Sequence, residues 1–253
     1  MPFNLAVLNS AFLDSTRAAL DLVFPPQCPF CAVMIPSTNR LFCDDCLESL
    51  APSAAMQCSS CGAPIAETAS AQTISSCHCR KESWRFRGVA ALGRYEGQLR
   101  QAVLRMKHPR AESLAWAMGR FIIRTQRERI EGWQCDLVVP IPGHRSWGAA
   151  RGGWSAATLA ASIAKKLRLP ARCDLLTFHR KIKQQHTLTL SERRANVRGS
   201  LRRARGYDIS GAHVLLVDDV MTSGATADEA ARALHAAGAE QVVVAVVARA
   251  LSK

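Results

Sequence analysis

Residues 214–226 have the sequence VLLVDDVMTSGAT, from which the class of fold can be inferred. It begins with an apolar run of strand length, continues with the carboxylates Asp218 and Asp219, and ends in a loop of hydroxyl and glycine residues. The apolar periodicity from Ala225 to Ala237 predicts a helix that is closed by Gly238. The order strand, turn and helix is the unit from which parallel α/β sheets are built.

The chain beyond Trp84 repeats this alternation. The pattern predicts strands at 88–92, 137–141, 213–217 and 241–248, and helices at 97–106, 112–127, 155–167 and 225–237. Strands that alternate with helices predict a parallel sheet with helices on its faces. Ligands of such sheets bind beyond the carboxyl ends of the strands, so the residues that follow each strand are the candidate site.

Residues 218–226 offer two complementary half-sites. Between Thr222 and Thr226 lie backbone N–H groups, three hydroxyls and the positive end of a helix dipole, which suit a phosphate monoester. The carboxylates of Asp218 and Asp219 suit vicinal hydroxyls, directly or through magnesium-bound water. A phosphate beside a diol indicates a 5-phosphoribosyl compound. The alternative is an ordinary strand-to-helix turn or a magnesium site for a nucleotide, although the sequence has no Gly-x-x-x-x-Gly-Lys-Ser/Thr loop.

Eight of the ten cysteines lie in short-spaced pairs in the first third of the chain. Two such pairs supply the four thiolates of a closed, structural zinc site. The simplest pairing gives two sites, Cys28, Cys31, Cys43 and Cys46 for the first and Cys58, Cys61, Cys77 and Cys79 for the second. A cross-braced pairing stays open, and His78 is an alternative ligand to either neighbour. A disulfide framework is disfavoured because nothing in the sequence indicates secretion.

The composition excludes several classes of protein. The chain has 253 residues, 48% of them hydrophobic, which excludes a disordered or fibrous protein. The formal net charge of +13 predicts a surface that attracts phosphates or nucleic acid. The longest apolar run, 242–248, has strand length, and no signal peptide pattern is found, so we expect a cytoplasmic protein without a membrane span. Apolar residues between Leu5 and Val23 predict an N-terminal helix.

With these residues the chain resembles the ComF family of bacterial phosphoribosyltransferase-like proteins. Residues 214–226 resemble the signature of type I phosphoribosyltransferases for 5-phosphoribosyl-1-pyrophosphate (PRPP). The further matches are the cysteine pairs after Phe24-Pro25-Pro26, Tyr95-Glu96-Gly97 leading to Lys107, Val139-Pro140-Ile141-Pro142, Arg151-Gly152, and the stretch from Gln185 to Val197. Members of the family are linked to competence, the uptake and use of external DNA.

The resemblance implies an α/β fold: a type I phosphoribosyltransferase-like parallel sheet with flanking helices and a hood, preceded by a small zinc-ribbon domain. The expected domains are an N-terminal helix at 1–26, a double zinc ribbon at 27–83 and a phosphoribosyltransferase-like domain at 84–253. The hood corresponds to residues 180–205, with nine basic side chains and one acid, Glu192. This charge suits a clamp that closes on pyrophosphate, a nucleic-acid groove or a solvated basic face.

The resemblance also implies which residues bind PRPP. Asp218 and Asp219 would contact the ribose hydroxyls, and the 5-phosphate would be held by Thr222, Ser223, Gly224, Ala225 and Thr226. The pyrophosphate loop would be Pro142, Gly143, His144 and Arg145, with Lys107 and Arg151 as further basic contacts. The sequence assigns no catalytic residue, and the basic candidates are Lys107, Arg145, Lys181 and Lys183. Zinc is the expected structural cofactor, in one or two sites, and magnesium is expected to bind with PRPP.

Two functions from different classes are expected. The first is a PRPP-binding phosphoribosyltransferase-like protein linked to DNA uptake, which as an enzyme would transfer a phosphoribosyl group. Thr222 stands where type I enzymes acting on purine bases carry a carboxylate, which disfavours purine salvage. The second is a non-catalytic zinc-ribbon adaptor that binds nucleic acid and uses the phosphoribosyl pocket as a sensor. The expected partners are PRPP or another 5-phosphoribosyl compound, and single-stranded DNA or competence proteins.

Overall fold

The structure is a computed structural model that describes residues 21, 24–36, 40–51, 57–65, 77, 79, 82–108, 110–143, 155–180, 182, 190–204 and 206–251. These residues fall into two compact units that divide between Ser49 and Leu50. Most of the predicted N-terminal helix lies outside the described residues, and the predicted domain boundaries stay a prediction. Among the residues described, no helix is long and apolar enough to cross a membrane.

The first unit contains a tight cysteine turn. The backbone N–H of Cys28 donates to the carbonyl of Val33 at 2.8 Å, and a β-bridge joins Gln27 to Met34. Helix α1 (Asp44–Leu50) follows in the chain and carries two acidic residues in its first turn, where negative charge is stabilised by the helix dipole. The two cysteines at positions 43 and 46 are thereby placed at the start of a helix.

The second unit is built on a four-stranded parallel sheet. The strands of the whole unit, in chain order, are β1 (Val89–Arg94), β2 (Leu137–Pro140), β3 (Leu176–Phe178), β4 (Leu201–Arg203), β5 (His213–Met221) and β6 (Gln241–Arg249). The parallel sheet has the order β1-β6-β5-β2, while β3 and β4 form a separate antiparallel pair. Strand β6 is buried from its second residue to its last, as expected for a strand at the centre of a covered parallel sheet.

Helices connect these strands. Those described in this unit are α2 (Gly97–Met106), α3 (Glu112–Thr125), α4 (Arg127–Glu131), α5 (Ser155–Leu167), α6 (Leu190–Val197) and α7 (Ala225–His235). The bounds predicted for α2 and α5 are confirmed to the residue. The helix predicted at 112–127 ends earlier, because the backbone of Gln126 leaves the helical region, with φ −115° and ψ 22°, before α4 begins.

The strand register brings three strand ends to one edge of the sheet. Pro140 of β2 pairs with Val217 of β5, and Met221 of β5 pairs with Arg249 of β6. Since all these strands are parallel, the segment that follows β2 lies beside the last residues of β5. The described site residues that follow β2 and that end β5 therefore lie at the carboxyl edge, where parallel sheets bind their ligands.

Candidate functional site

The carboxylate pair lies within β5, not after it, because the strand continues to Met221. The backbone N–H of Asp219 donates to Oδ1 of Asp218 at 2.8 Å. Burial, followed by the charge of Asp219, raises the pKa of Asp218 well above its ordinary value. A cation or a hydroxyl donor that binds at this edge of the sheet would therefore stabilise the ionised form of Asp218.

Two residues from other elements reach Asp219. Lys107 directly follows α2, and its Nζ lies 3.6 Å from Oδ2 of Asp219. The hydroxyl of Ser155, the first residue of α5, donates to the same oxygen at 3.2 Å. The charge of Asp219 raises the pKa of Lys107, with burial opposing this effect. The structure thus brings Lys107 next to the carboxylate pair, and it adds Ser155, which was not predicted for the site. The role of each in binding PRPP stays a prediction.

Residues 222–226, the predicted phosphate loop, join β5 to α7. Gly224 is the N-cap residue of α7 and has φ 77° and ψ 0°, in the left-handed region that favours glycine. Its carbonyl accepts from the N–H of Asp228 at 2.8 Å, which opens the helical hydrogen-bond series. The N–H of Ala225 donates to the Ser223 hydroxyl at 3.4 Å. The loop therefore presents the N-terminus of a full helix, which is a favourable place for an anion.

The structure describes only part of the predicted pyrophosphate loop. Pro142 is buried and Gly143 is exposed, and both follow β2. The preceding Ile141 donates its N–H to the carbonyl of Val217 at 2.8 Å, which holds this segment beside β5. The remaining predicted residues lie outside the described part of the chain: His144, Arg145, Arg151, Lys181 and Lys183. Their roles stay predictions.

Part of the hood packs on the phosphate loop. Ala225, at the start of α7, clusters with three apolar residues, Phe178, Ile182 and Val197. The guanidinium of Arg180 donates to two backbone carbonyls at the C-terminal end of α6, at 2.9 and 2.7 Å. Arg198 and Arg202 are exposed. The basic residues of the hood therefore differ in role: Arg180 stabilises the hood itself, whereas Arg198 and Arg202 are available to a ligand.

The cysteine pairs assemble into two clusters of four. The first cluster is Cys28, Cys31, Cys43 and Cys46, the second is Cys58, Cys61, Cys77 and Cys79, and within each the sulfur atoms lie within 4.8 Å of one another. This is the simplest predicted pairing and not the cross-braced one. The sulfurs of Cys61 and Cys77 are 3.5 Å apart, far beyond the roughly 2.05 Å of a disulfide. Two ligands of one tetrahedral zinc, each at about 2.3 Å, have sulfurs at a comparable separation.

The thiols of the second cluster fit a divalent cation. Burial raises the pKa of Cys61 to about 12, and the charge of Cys58 adds to this effect. Burial likewise raises the pKa of Cys79. At Cys58 burial is the largest single effect, but hydrogen bonds from the backbone and from neighbouring thiols together lower the pKa. Four crowded thiols ionise together only when a cation compensates their charge, and four thiolates are the ligand set that zinc prefers. His78, the alternative ligand, lies outside the described residues.

Two further residues contact the phosphate loop and were not predicted from the sequence. Arg249, the last residue of β6, is buried and donates to the carbonyls of Met221 and Thr222. Trp84 lies beside Gly224: a β-carbon on that glycine would be 2.9 Å from the indole Nε1. Arg249 could have been found as the charged residue that ends the apolar strand VVVAVVAR. No spacing pattern in the sequence indicates a role for Trp84.

Comparison with known proteins identifies both parts of the chain. The phosphoribosyl transferase domain family matches residues 150–253, and the double zinc ribbon domain family matches residues 19–80. Over 228 residues the chain is 25% identical to DNA utilization protein YhgH of Salmonella typhimurium, an alignment that covers 88% of this chain and 96% of YhgH. Over 52 residues it is 44% identical to orotate phosphoribosyltransferase of Nocardioides sp., covering 21% of this chain and 29% of that protein.

Among solved structures, adenine phosphoribosyltransferase from Leishmania donovani aligns with a TM-score of 0.33 and 18% identity, covering 52% of this chain and 51% of that one. The two family matches follow each other in the order on which the resemblance to the ComF family is based, and YhgH is similar over most of the chain. The expected order of domains is thereby confirmed: in this chain a double zinc ribbon domain precedes a phosphoribosyl transferase domain.

Proposed function

We propose that this chain binds PRPP at the carboxyl edge of its sheet and acts in the use of DNA. The observation that carries the proposal is the continuity of β5, the phosphate loop and α7, which sets the pair Asp218 and Asp219 beside a helix N-terminus. The relatives named DNA utilization protein and the net charge of +13 support the link to DNA.

The proposed ligand matches the polarity of this edge. Its 5-phosphate would lie at the N-terminus of α7, where the backbone N–H groups of the phosphate loop and the helix dipole favour negative charge. Its ribose hydroxyls would donate to Asp218 and Asp219. Lys107, with its side chain 55% exposed and its Nζ 3.6 Å from Asp219, places a positive charge on the solvent side of the carboxylates, where pyrophosphate oxygens would lie.

Magnesium is the proposed companion of PRPP. The carboxylates of Asp218 and Asp219 are hard oxygen ligands, either to the ion or to its waters, and the ion when bound would neutralise part of the pyrophosphate charge. The chain's own contribution is to hold the ribose against the carboxylates and to supply the charge of Lys107. The raised pKa of Asp218 fits this proposal, because a carboxylate whose ionised form is disfavoured without a ligand gains most from binding one.

As an enzyme, the protein would break the bond between ribose C1 and pyrophosphate and form a bond from C1 to an acceptor nucleophile, with inversion at C1. Pyrophosphate leaves with the electron pair of the broken bond, so cationic groups near it stabilise the transition state. We assign this role to Lys107 because its Nζ lies next to Asp219, and Arg145, Lys181 and Lys183 are the further candidates. Thr222 offers no carboxylate to a purine base, which argues against a purine acceptor.

The test is calorimetric titration of PRPP with magnesium into wild-type protein and into Asp219→Asn. Loss of the charge that contacts the diol is expected to weaken binding at least tenfold, while zinc content stays unchanged. The matched control is Glu131→Gln, which removes a carboxylate paired with Arg127 at the far end of α4 and is expected to leave affinity unchanged. Wild-type protein that does not bind PRPP, or equal affinity in Asp219→Asn, would contradict the proposal.

The second candidate function is the adaptor that binds nucleic acid without turnover. The observation that favours it is the exposure of Arg198 and Arg202 on the hood, whose Val197 packs with Ala225 at the start of α7. Incubation with PRPP, magnesium and a pool of bases and amines separates the two. Release of pyrophosphate supports the enzyme, whereas salt-sensitive binding of single-stranded DNA without any pyrophosphate supports the adaptor. We place either activity in the cytoplasm, because thiolate zinc clusters persist in a reducing compartment.

A further inference from the structure

Arg249 connects the phosphate loop to the second cysteine cluster within the second unit. The residue is 7% exposed, at the end of β6. Its Nη1 donates to the carbonyl of Met221 at 2.8 Å, to the carbonyl of Ala250 at 2.6 Å and to the carbonyl of Thr222. Its Nε donates to the carbonyl of Cys61 at 3.1 Å, and Cys61 belongs to the second cysteine cluster. One guanidinium therefore bonds both the phosphate loop and a metal-binding turn.

The bonds to Met221 and Thr222 orient the backbone of the phosphate loop. Each carbonyl shares a rigid peptide plane with the N–H of the next residue, and in a trans peptide the two groups point in opposite directions. Arg249 holds both carbonyls on the inner side of the loop. The N–H groups of Thr222 and Ser223, which the proposed function assigns to the 5-phosphate, are thereby turned to the opposite side.

Trp84 provides a second connection between the same two parts. The indole packs against Cys58 and Cys61 of the second cluster and against the neighbouring Ala63 and Ile65. On its other side it approaches Gly224, where a β-carbon would lie 2.9 Å from Nε1 and 3.1 Å from Cε2. The next residue, Arg85, donates its backbone N–H and a guanidinium N–H to Asp228 in the first turn of α7, both at 2.7 Å. The segment after the second cluster therefore contacts both the phosphate loop, through Trp84, and the first turn of α7, through Arg85.

We propose that zinc binding at the second cluster and PRPP binding at the phosphate loop are thermodynamically coupled through Arg249 and Trp84. This inference rests on the proposed function, since it assumes that PRPP occupies the loop. The four cysteines, when they bind zinc, would fix the carbonyl of Cys61 and the indole of Trp84, and these contacts would hold the loop in the form that binds phosphate. Because coupling is reciprocal, PRPP must also raise the affinity of the second cluster for zinc. Arg249 is thus a positioning residue for the phosphate loop.

The experiment measures zinc affinity by equilibrium competition with a chromogenic chelator, at constant magnesium, with and without saturating PRPP. PRPP is expected to raise the affinity for the zinc of the second cluster by about tenfold, within the usual range of coupling between two sites. The zinc of the first cluster serves as the internal control and is expected to respond less than about twofold. Cys31→Ser, which removes a ligand of the first cluster, assigns the two zinc equivalents.

Arg249→Lys and Arg129→Lys form a matched pair. Arg129 also attaches the second cluster to the sheet, through the carbonyls of Gln57 at 3.2 Å and Val89 at 3.0 Å, but it does not reach the phosphate loop. A lysine at 249 keeps the charge and loses the divergent donors that bond both parts. Arg249→Lys is therefore expected to bind zinc but to lose the response to PRPP, whereas Arg129→Lys is expected to keep the tenfold response.

The outcomes separate this inference from the proposed function. If calorimetry shows that PRPP binds and zinc affinity of the second cluster does not change, the coupling is wrong and the proposed function stands. A full tenfold response in Arg249→Lys would remove Arg249 from the coupling and overturn the proposal as stated. If PRPP does not bind the wild-type protein at all, both the proposed function and the coupling fail.

Discussion

Gly224 lies against the indole of Trp84, so closely that a β-carbon on the glycine would be 2.9 Å from Nε1. The contact joins a residue of the phosphate loop to one that follows the second cysteine cluster 140 positions earlier in the chain. Gly224 also has φ 77°, so the position excludes other residues for two independent reasons, backbone conformation and space.

Gly224→Ala is expected to lower both stability and PRPP affinity. The left-handed backbone alone costs about 1 kcal/mol for a residue with a β-carbon, and the contact with Trp84 adds to this. The control is Gly211→Ala, since Gly211 has φ 72° but open space around it. Thermal unfolding and calorimetry compare the two variants. Equal loss of stability in both, with PRPP affinity unchanged in Gly224→Ala, would show that the contact with Trp84 has no role.

Lys107→Met is expected to weaken PRPP binding about tenfold, because it removes the positive charge next to Asp219. The control is Lys166→Met, which removes the same charge from an exposed position on α5. Calorimetry at two salt concentrations measures both. Similar losses in the two variants would mean that Lys107 acts only through the net charge of the protein and not as a contact.

Asp218→Asn is expected to stabilise the unliganded protein while abolishing PRPP binding. Because burial and Asp219 raise the pKa of Asp218, the folded protein keeps a proton that the unfolded chain has released above its ordinary pKa of about 3.9. The free energy of unfolding therefore falls as pH rises from the ordinary pKa to the raised pKa of Asp218. Above the raised pKa this loss of stability remains. The asparagine removes this pH dependence.

The measurement is the Tm of both proteins across the acid and neutral range, without ligand. Each 1 kcal/mol corresponds to about 2–4 °C in a domain of this size. Asp208→Asn has the opposite expectation, because hydrogen bonds from Ser210 lower the pKa of Asp208 and its charge is favourable at neutral pH. A lower Tm for Asp218→Asn than for wild type at neutral pH would contradict the prediction.

Ala32→Gly is expected to stabilise the first cysteine cluster. Ala32 and Gly62 occupy corresponding positions after the second cysteine of each turn, with φ 65° and φ 70°. The alanine bears the cost of a left-handed backbone, of order 1 kcal/mol, which glycine avoids. Zinc affinity of the first cluster should therefore rise severalfold in chelator competition. The reverse substitution, Gly62→Ala, should lower that of the second cluster, and the opposite pair of results would refute the argument.

Substitution of both Arg198 and Arg202 by serine tests the adaptor function. Both side chains are exposed on the hood, so the double variant is expected to fold and to keep its affinity for PRPP. If these residues contact nucleic-acid phosphates, binding of single-stranded DNA weakens and the salt dependence of log K falls by about 0.7 for each lost contact. Unchanged DNA affinity and salt slope would exclude this face of the hood as the DNA-binding surface.

Periodic segments of the sequence predicted most of the fold. Helices α2 and α5 have the predicted bounds because their apolar residues recur at helical spacing and bury one face. Strand β5 runs four residues further than predicted, to Met221, because pairing with β6 extends it through the polar carboxylate pair. The short strands β3 and β4 and the helix α6 were not predicted, since three-residue strands and a weakly amphipathic helix carry little periodicity.

Local features could be predicted from the sequence: a strand, a phosphate loop and a helix in unbroken order, and cysteines spaced as zinc ligands. The folded structure was needed to show which cysteines share a cluster, that Lys107 and Ser155 lie next to Asp219, and that Arg249 bonds both Cys61 and the phosphate loop. The two kinds of feature differ in the distance along the chain between the residues involved. Periodicity and spacing report the preferences of neighbouring residues, whereas these contacts join segments that only the order and register of the parallel strands bring to the same edge.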